Sequence, residues 1–109
     1  MENITTQQAG VRRPDIVVRK HGPITDDQAG QARERLARVL ARIGEPILKT
    51  ELTLTVLREP APPKPAFAQV AVELKGRTIR ARAAEATPGR AVALMCDRLS
   101  IRLGHVAHH

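Results

Sequence analysis

The chain has 109 residues and a formal charge of +7, with 18 basic against 11 acidic side chains and a sequence pI near 11.0. That length holds one domain, burying roughly 65% of the surface its unfolded chain would expose, and that charge points to a polyanionic partner, nucleic acid ahead of an acidic membrane surface. A single cysteine excludes an internal disulfide framework, and one phenylalanine with no tryptophan or tyrosine removes the aromatic platforms on which single strands are usually read.

Residues 1–13 are polar, lack periodicity and end in a Val-Arg-Arg run before Pro14, so a flexible N-terminal arm is expected there, with the folded domain over 14–104. The β-branched stretch from Asp15, stopped by Gly22 and Pro23, predicts a first strand and a turn. Thr25 then offers a cap to a helix whose first turn carries Asp26 and Asp27 beside the positive end of the dipole. Apolar residues at 29, 32, 36, 39, 40 and 43 keep helical spacing to Gly44, so a helix is predicted over about 25–43.

Leu52, Leu54 and Val56 alternate with polar neighbours over 48–58, the pattern of a half-buried strand. The segment 59–65 has four prolines and cannot continue a ladder. A hairpin turning at Lys75 and Gly76 follows, with Ala68, Val70, Val72 and Leu74 inward on one arm and Ile79, Ala81 and Ala83 on the other. Thr87 as cap and Pro88 at the first helical position open a second helix over 88–103, its apolar stripe running through Val92, Met95, Leu99 and Leu103, widened by Ala91, Leu94 and Cys96. Residues 105–109 are expected to be a flexible tail or the start of a linker. The order β-α-β-β-β-α predicts an α+β fold, with both helices packed on one face of a four-stranded sheet.

Nothing in this sequence assembles an active site, so an enzyme is not expected. Cys96 falls in the apolar stripe of the second helix, where a buried, inert thiol is the simpler reading. His21 is a turn residue without a partner, and His105, His108 and His109 have no cysteine or carboxylate at a metal-binding spacing, so no metal and no cofactor is expected. No glycine loop suits a phosphate, and Asp26 and Asp27, as neighbours on a helix, point about 100° apart and cannot work as an acid/base pair. With no apolar run near the roughly 20 residues of a membrane span, a cytoplasmic protein with neither a membrane nor a small-molecule partner is expected.

Arginine placement carries the remaining information. Of the basic residues 14 are arginine and 4 lysine, and the guanidinium fork grips phosphate through two bonds where ammonium acts as a point charge. On the first helix Arg35, Arg38 and Arg42 fall along one stripe with Arg33 to one side; on the second, Arg98 and Arg102 repeat the four-residue spacing and Arg90 stands at the helix start. If the helices pack side by side, arginines from both would share one convex surface. Arg80 and Arg82 are weaker candidates, because their sheet face also carries Glu51 and Glu73, whose cross-strand pairing would explain them.

The stretches GPITDDQ leading into RERLARVL, then ELTLTVL, VAVELKGRTIRARA and AVALMCDRLSIRL together resemble the N-terminal domain of the ribosome hibernation promoting factor family, also called ribosome-associated inhibitor or sigma-54 modulation protein. The likeness spans 15–103, rests most on Ile24-Thr25-Asp26 and Asp97-Arg98-Leu99, and has the arginine-rich flavour of actinobacterial members, including the mycobacterial hypoxia or dormancy type. It implies a fold like a double-stranded RNA-binding domain. It also implies a stress-linked, non-enzymatic role: binding the decoding region of the small (30S) subunit, or the 70S ribosome, and silencing translation by blocking the mRNA and tRNA sites. The 16S rRNA contacts would fall by position on Arg35, Arg38 and Arg98; Arg33, Arg42, Arg90 and Arg102 extend the set from the stripe. The family's lysine-rich end of the second helix is replaced here by Gly104 and His105. Long members also carry a C-terminal dimerising domain, so the chain reads either as a short member or as the N-terminal part of a longer one. Two other readings stand beside this one: a protein-interaction module of the sigma-factor modulator type, and a generic double-stranded RNA binder.

Overall fold

A computed structural model describes residues 15–58 and 62–107. The elements run β1 (Ile16–His21), α1 (Asp26–Leu40), β2 (Ile47–Val56), β3 (Ala66–Leu74), β4 (Arg77–Glu85) and α2 (Pro88–Ala107). The strands form one sheet in the order β1-β2-β3-β4, with β1 parallel to β2 and the other pairs antiparallel. A parallel pair needs a crossover, and α1 supplies it. The α+β architecture and its element order are those the sequence predicts.

Local chemistry sets the boundaries. The Gln28 N–H donates to Thr25 Oγ1 at 3.0 Å while the Thr25 N–H donates to Gln28 Oε1 at 2.9 Å, a reciprocal box that satisfies two groups at the start of α1. Gly22 turns the chain out of β1 at φ +92, and a Cβ there would collide with the Val56 carbonyl, so the turn requires glycine twice over. Gly76, at φ +86, closes the β3–β4 hairpin. At the start of α2 the Arg90 N–H donates to Thr87 Oγ1 at 3.3 Å.

Both helix ends differ from the sequence reading. The helix α1 ends at Leu40; the capping Ala41 N–H still reaches Ala37 at 2.9 Å, and the two N–H groups after it tighten to three-residue bonds, Arg42 to Val39 at 3.1 Å and Ile43 to Leu40 at 3.0 Å. Such tightening satisfies carbonyls left over at a helix end. The second helix, expected to stop near Leu103, continues to Ala107. Gly104 does not break it: one interior glycine costs about 1 kcal/mol against alanine, and no proline follows. The expected tail at 105–109 is therefore helical through Ala107, while 108–109 and the arm at 1–13 lie outside the described residues.

The period-2 alternation of the strands places Leu52, Leu54, Val70, Val72 and Leu74 on one face, buried beneath Leu36 and Leu40 of α1 and Met95 and Leu99 of α2. Both helices thus cover the same side of the sheet, as predicted. Thr50 is the exception in this core: it is fully buried between Ile16 and Val72 in register, and its hydroxyl has no partner among the described residues. The opposite face is open and carries Arg19, Glu51, Thr53, Gln69, Arg80 and Arg82. An exposed Phe67 stands among them.

Candidate nucleic-acid interface

The helix-borne arginines follow from amphipathic periodicity. With Ala32, Leu36, Val39 and Leu40 buried, Arg33, Arg35 and Arg38 are turned to solvent on α1, and Arg42 is exposed just beyond its end. On α2 the burial of Ala91, Val92, Met95, Cys96 and Leu99 leaves Arg90, Arg98 and Arg102 outside. None of these seven makes an ion pair with a described residue.

The arginines do not converge on one surface. Arg35 and Arg38 border a groove of about 570 Å³ between α1 and the first turns of α2, whose walls also include Asp26, Asp27, Gly89 and Val92. Cys96 faces the same flank of α2. The residue is 4% exposed, and burial pushes its thiol pKa up to about 11, an effect that the nearby Arg35 charge partly opposes. The burial is that expected from its place in the apolar stripe of α2.

Arg98 lies two residues beyond Cys96, about 200° around the helix, and so turns away from α1. Its Nη1 donates to the Arg82 carbonyl oxygen of the edge strand β4 at 2.9 Å. Arg98 and Arg102 therefore belong with Arg80 and Arg82, which line with them a depression of about 770 Å³ along the β4 edge. The cross-strand explanation for Arg80 and Arg82 fails on register. Their partners on β3 are Ala71 and Gln69; Glu73 sits opposite Thr78, and Glu51 is held at 3.2 Å by Arg19 and at 3.3 Å by Lys49.

Gln69 and Ile101 complete this depression and are absent from the sequence-derived set. Ile101 had a legible signal, an aliphatic residue off the apolar stripe of α2, and it is 61% exposed. Gln69 had none beyond its outward parity on β3. Arg90 stands at the start of α2, whose first turn has no acidic residue. Among the described residues no three His, Cys, Asp or Glu side chains are grouped to hold a metal ion, and no helix is long and apolar enough to cross a membrane.

These features define a small basic α+β domain whose helices and outer β4 present arginines without carboxylate partners among the described residues. Its fold is shared with a ribosomal subunit interface protein from Coxiella burnetii, at TM-score 0.68 and 19% identity over 86% of this chain and 98% of that one. It is also shared with the Protein Y N-terminal domain from Thermus thermophilus, at TM-score 0.67 and 21% identity over 84% of this chain and 98% of that one. The structural likeness anticipated from the sequence resemblance thus holds for the fold. No family model and no curated protein sequence matches the chain.

Proposed function

We propose that this chain is a ribosome-binding domain that docks non-enzymatically on the decoding region of the small subunit, sets its arginines against 16S rRNA and silences translation under stress. The observation that carries the reading is the seven helix-associated arginines without an ion-pair partner among the described residues. Solvent-exposed guanidinium groups left without carboxylates are available for phosphate, which they grip bidentately. The shared fold with a protein whose name places it at the ribosomal subunit interface supports the same reading.

The test is co-sedimentation with small subunits. The Arg35→Glu/Arg38→Glu/Arg98→Glu variant loses it, because three attractive contacts become repulsive, and keeps its melting temperature within a few degrees, since all three sites are exposed. A triple variant that still sediments with small subunits contradicts the assignment. The protein-interaction reading draws on the open sheet face, where Val17 and Phe67 are 44% and 40% exposed; it predicts that substituting those residues, not the arginines, removes the partner.

A further inference from the structure

We propose that the depression along the β4 edge is a separate RNA contact, distinct from the α1 stripe, in which Arg80 and Arg82 on one side and Arg98 and Arg102 on the other grip the phosphodiester backbone of one RNA strand. This rests on the ribosome-binding reading for its natural partner. The domain then holds RNA on both flanks of α2.

The composition of the two grooves separates them. The groove beside α1 sets Arg35 and Arg38 among Asp26, Asp27 and Glu34, whereas the β4 depression has four arginines, Gln69, Ala81 and Ile101 and no carboxylate. A concave surface lined by one sign of charge concentrates potential, so the β4 site is the stronger attractor for a polyanion. Its spacing also suits a strand. Arg80 and Arg82, two residues apart on an extended strand, stand about 7 Å apart, and Arg98 and Arg102, one helical turn apart, about 6 Å. Both separations are of the order of that between successive phosphates.

Arg98 is partly ordered in advance. One of its N–H groups is donated to the Arg82 carbonyl, which fixes the guanidinium over the edge and leaves its other donors for a ligand. Covering a carbonyl of an edge strand is a sufficient structural reason for Arg98 alone. It accounts for none of Arg80, Arg82 or Arg102, whose side chains do nothing for that carbonyl and have no ion-pair partner among the described residues.

The experiment compares the full chain with Arg80→Gln/Arg82→Gln and with Arg35→Gln/Arg38→Gln, titrated against small subunits over a range of salt. The β4 pair is expected to weaken binding about tenfold and to flatten the log–log salt dependence by about 1.4 to 1.8, the value of two phosphate contacts. It should cost at least as much as the α1 pair, and the two losses should add. A β4 variant that binds within about twofold of the original, with an unchanged salt slope, overturns the proposal. If the unsubstituted chain has no affinity for small subunits, the ribosomal reading fails, and the same variants titrated against an RNA duplex decide the groove independently. Loss of duplex affinity in the β4 variant supports the site; duplex binding unaffected by the substitutions, or none at all, overturns it.

Discussion

Two sets of basic side chains in this domain are treated in opposite ways. Around β1 and β2, Arg19 and Lys49 share Glu51, and Lys20 holds Asp26 of α1 at 2.6 Å; at the two ends of β4, Arg77 holds Glu45 of the α1–β2 connection at 2.5 Å and Glu85 lies 3.9 Å from Lys64. On α1, α2 and the outer side of β4, nine arginines (33, 35, 38, 42, 80, 82, 90, 98 and 102) have no such partner among the described residues. The same side-chain chemistry therefore serves the fold in one set and remains available to a partner in the other. Net charge alone does not reveal this, because it sums over both.

Neutralising the paired set is the largest contrast available. Arg19→Gln/Lys49→Gln/Arg77→Gln removes three positive charges, as Arg35→Gln/Arg38→Gln/Arg98→Gln does, yet it should leave small-subunit affinity within about threefold where the latter loses most of it, the loss of long-range attraction being partly screened at physiological salt. Its melting temperature should fall by a few degrees, since exposed pairs contribute little to stability. Affinity measured by co-sedimentation and melting by circular dichroism read the two effects separately. Equal loss of binding in both triple variants would mean that overall charge, and not placement, governs association.

A smaller effect sharpens the same contrast through pH. Hydrogen bonding and charge from Lys20 hold the Asp26 carboxyl below its ordinary 3.8, and Arg19 followed by Lys49 holds Glu51 below its ordinary 4.5. A carboxyl lowered in the folded state contributes stability that is complete above its unfolded value and lost as pH falls through its folded one. Melting temperature should therefore decline below about pH 4.5 in part through these pairs, and Asp26→Asn/Glu51→Gln should show a shallower decline over that interval. An identical acid profile for both proteins would show that the pairs contribute nothing.

Most of the fold was legible in the sequence because it depends on short-range periodicity. The alternation through Val70, Val72 and Leu74, the Thr25 cap and the turn at Gly76 each specify local geometry with no knowledge of the rest of the chain. The grouping of the arginines was not legible in the same way. Helical spacing fixes the angle between Cys96 and Arg98 on α2, but which neighbour lies against each flank is set by packing, and only with Cys96 turned toward Arg35 does Arg98 face β4. Strand register likewise decided that Arg80 and Arg82 oppose Ala71 and Gln69 and not a glutamate, a shift of one or two residues that parity alone does not resolve. The end of α2 was misplaced for a simpler reason: the apolar stripe stops at Leu103, but the helical backbone continues to Ala107.

The central claim is that the unneutralised arginines meet RNA phosphate on the ribosome, and the salt dependence of small-subunit affinity tests it most directly. With at least Arg35, Arg38 and Arg98 in contact, the logarithm of the association constant should fall with the logarithm of salt concentration at a slope steeper than about −2. An affinity for small subunits that does not change with salt would contradict it.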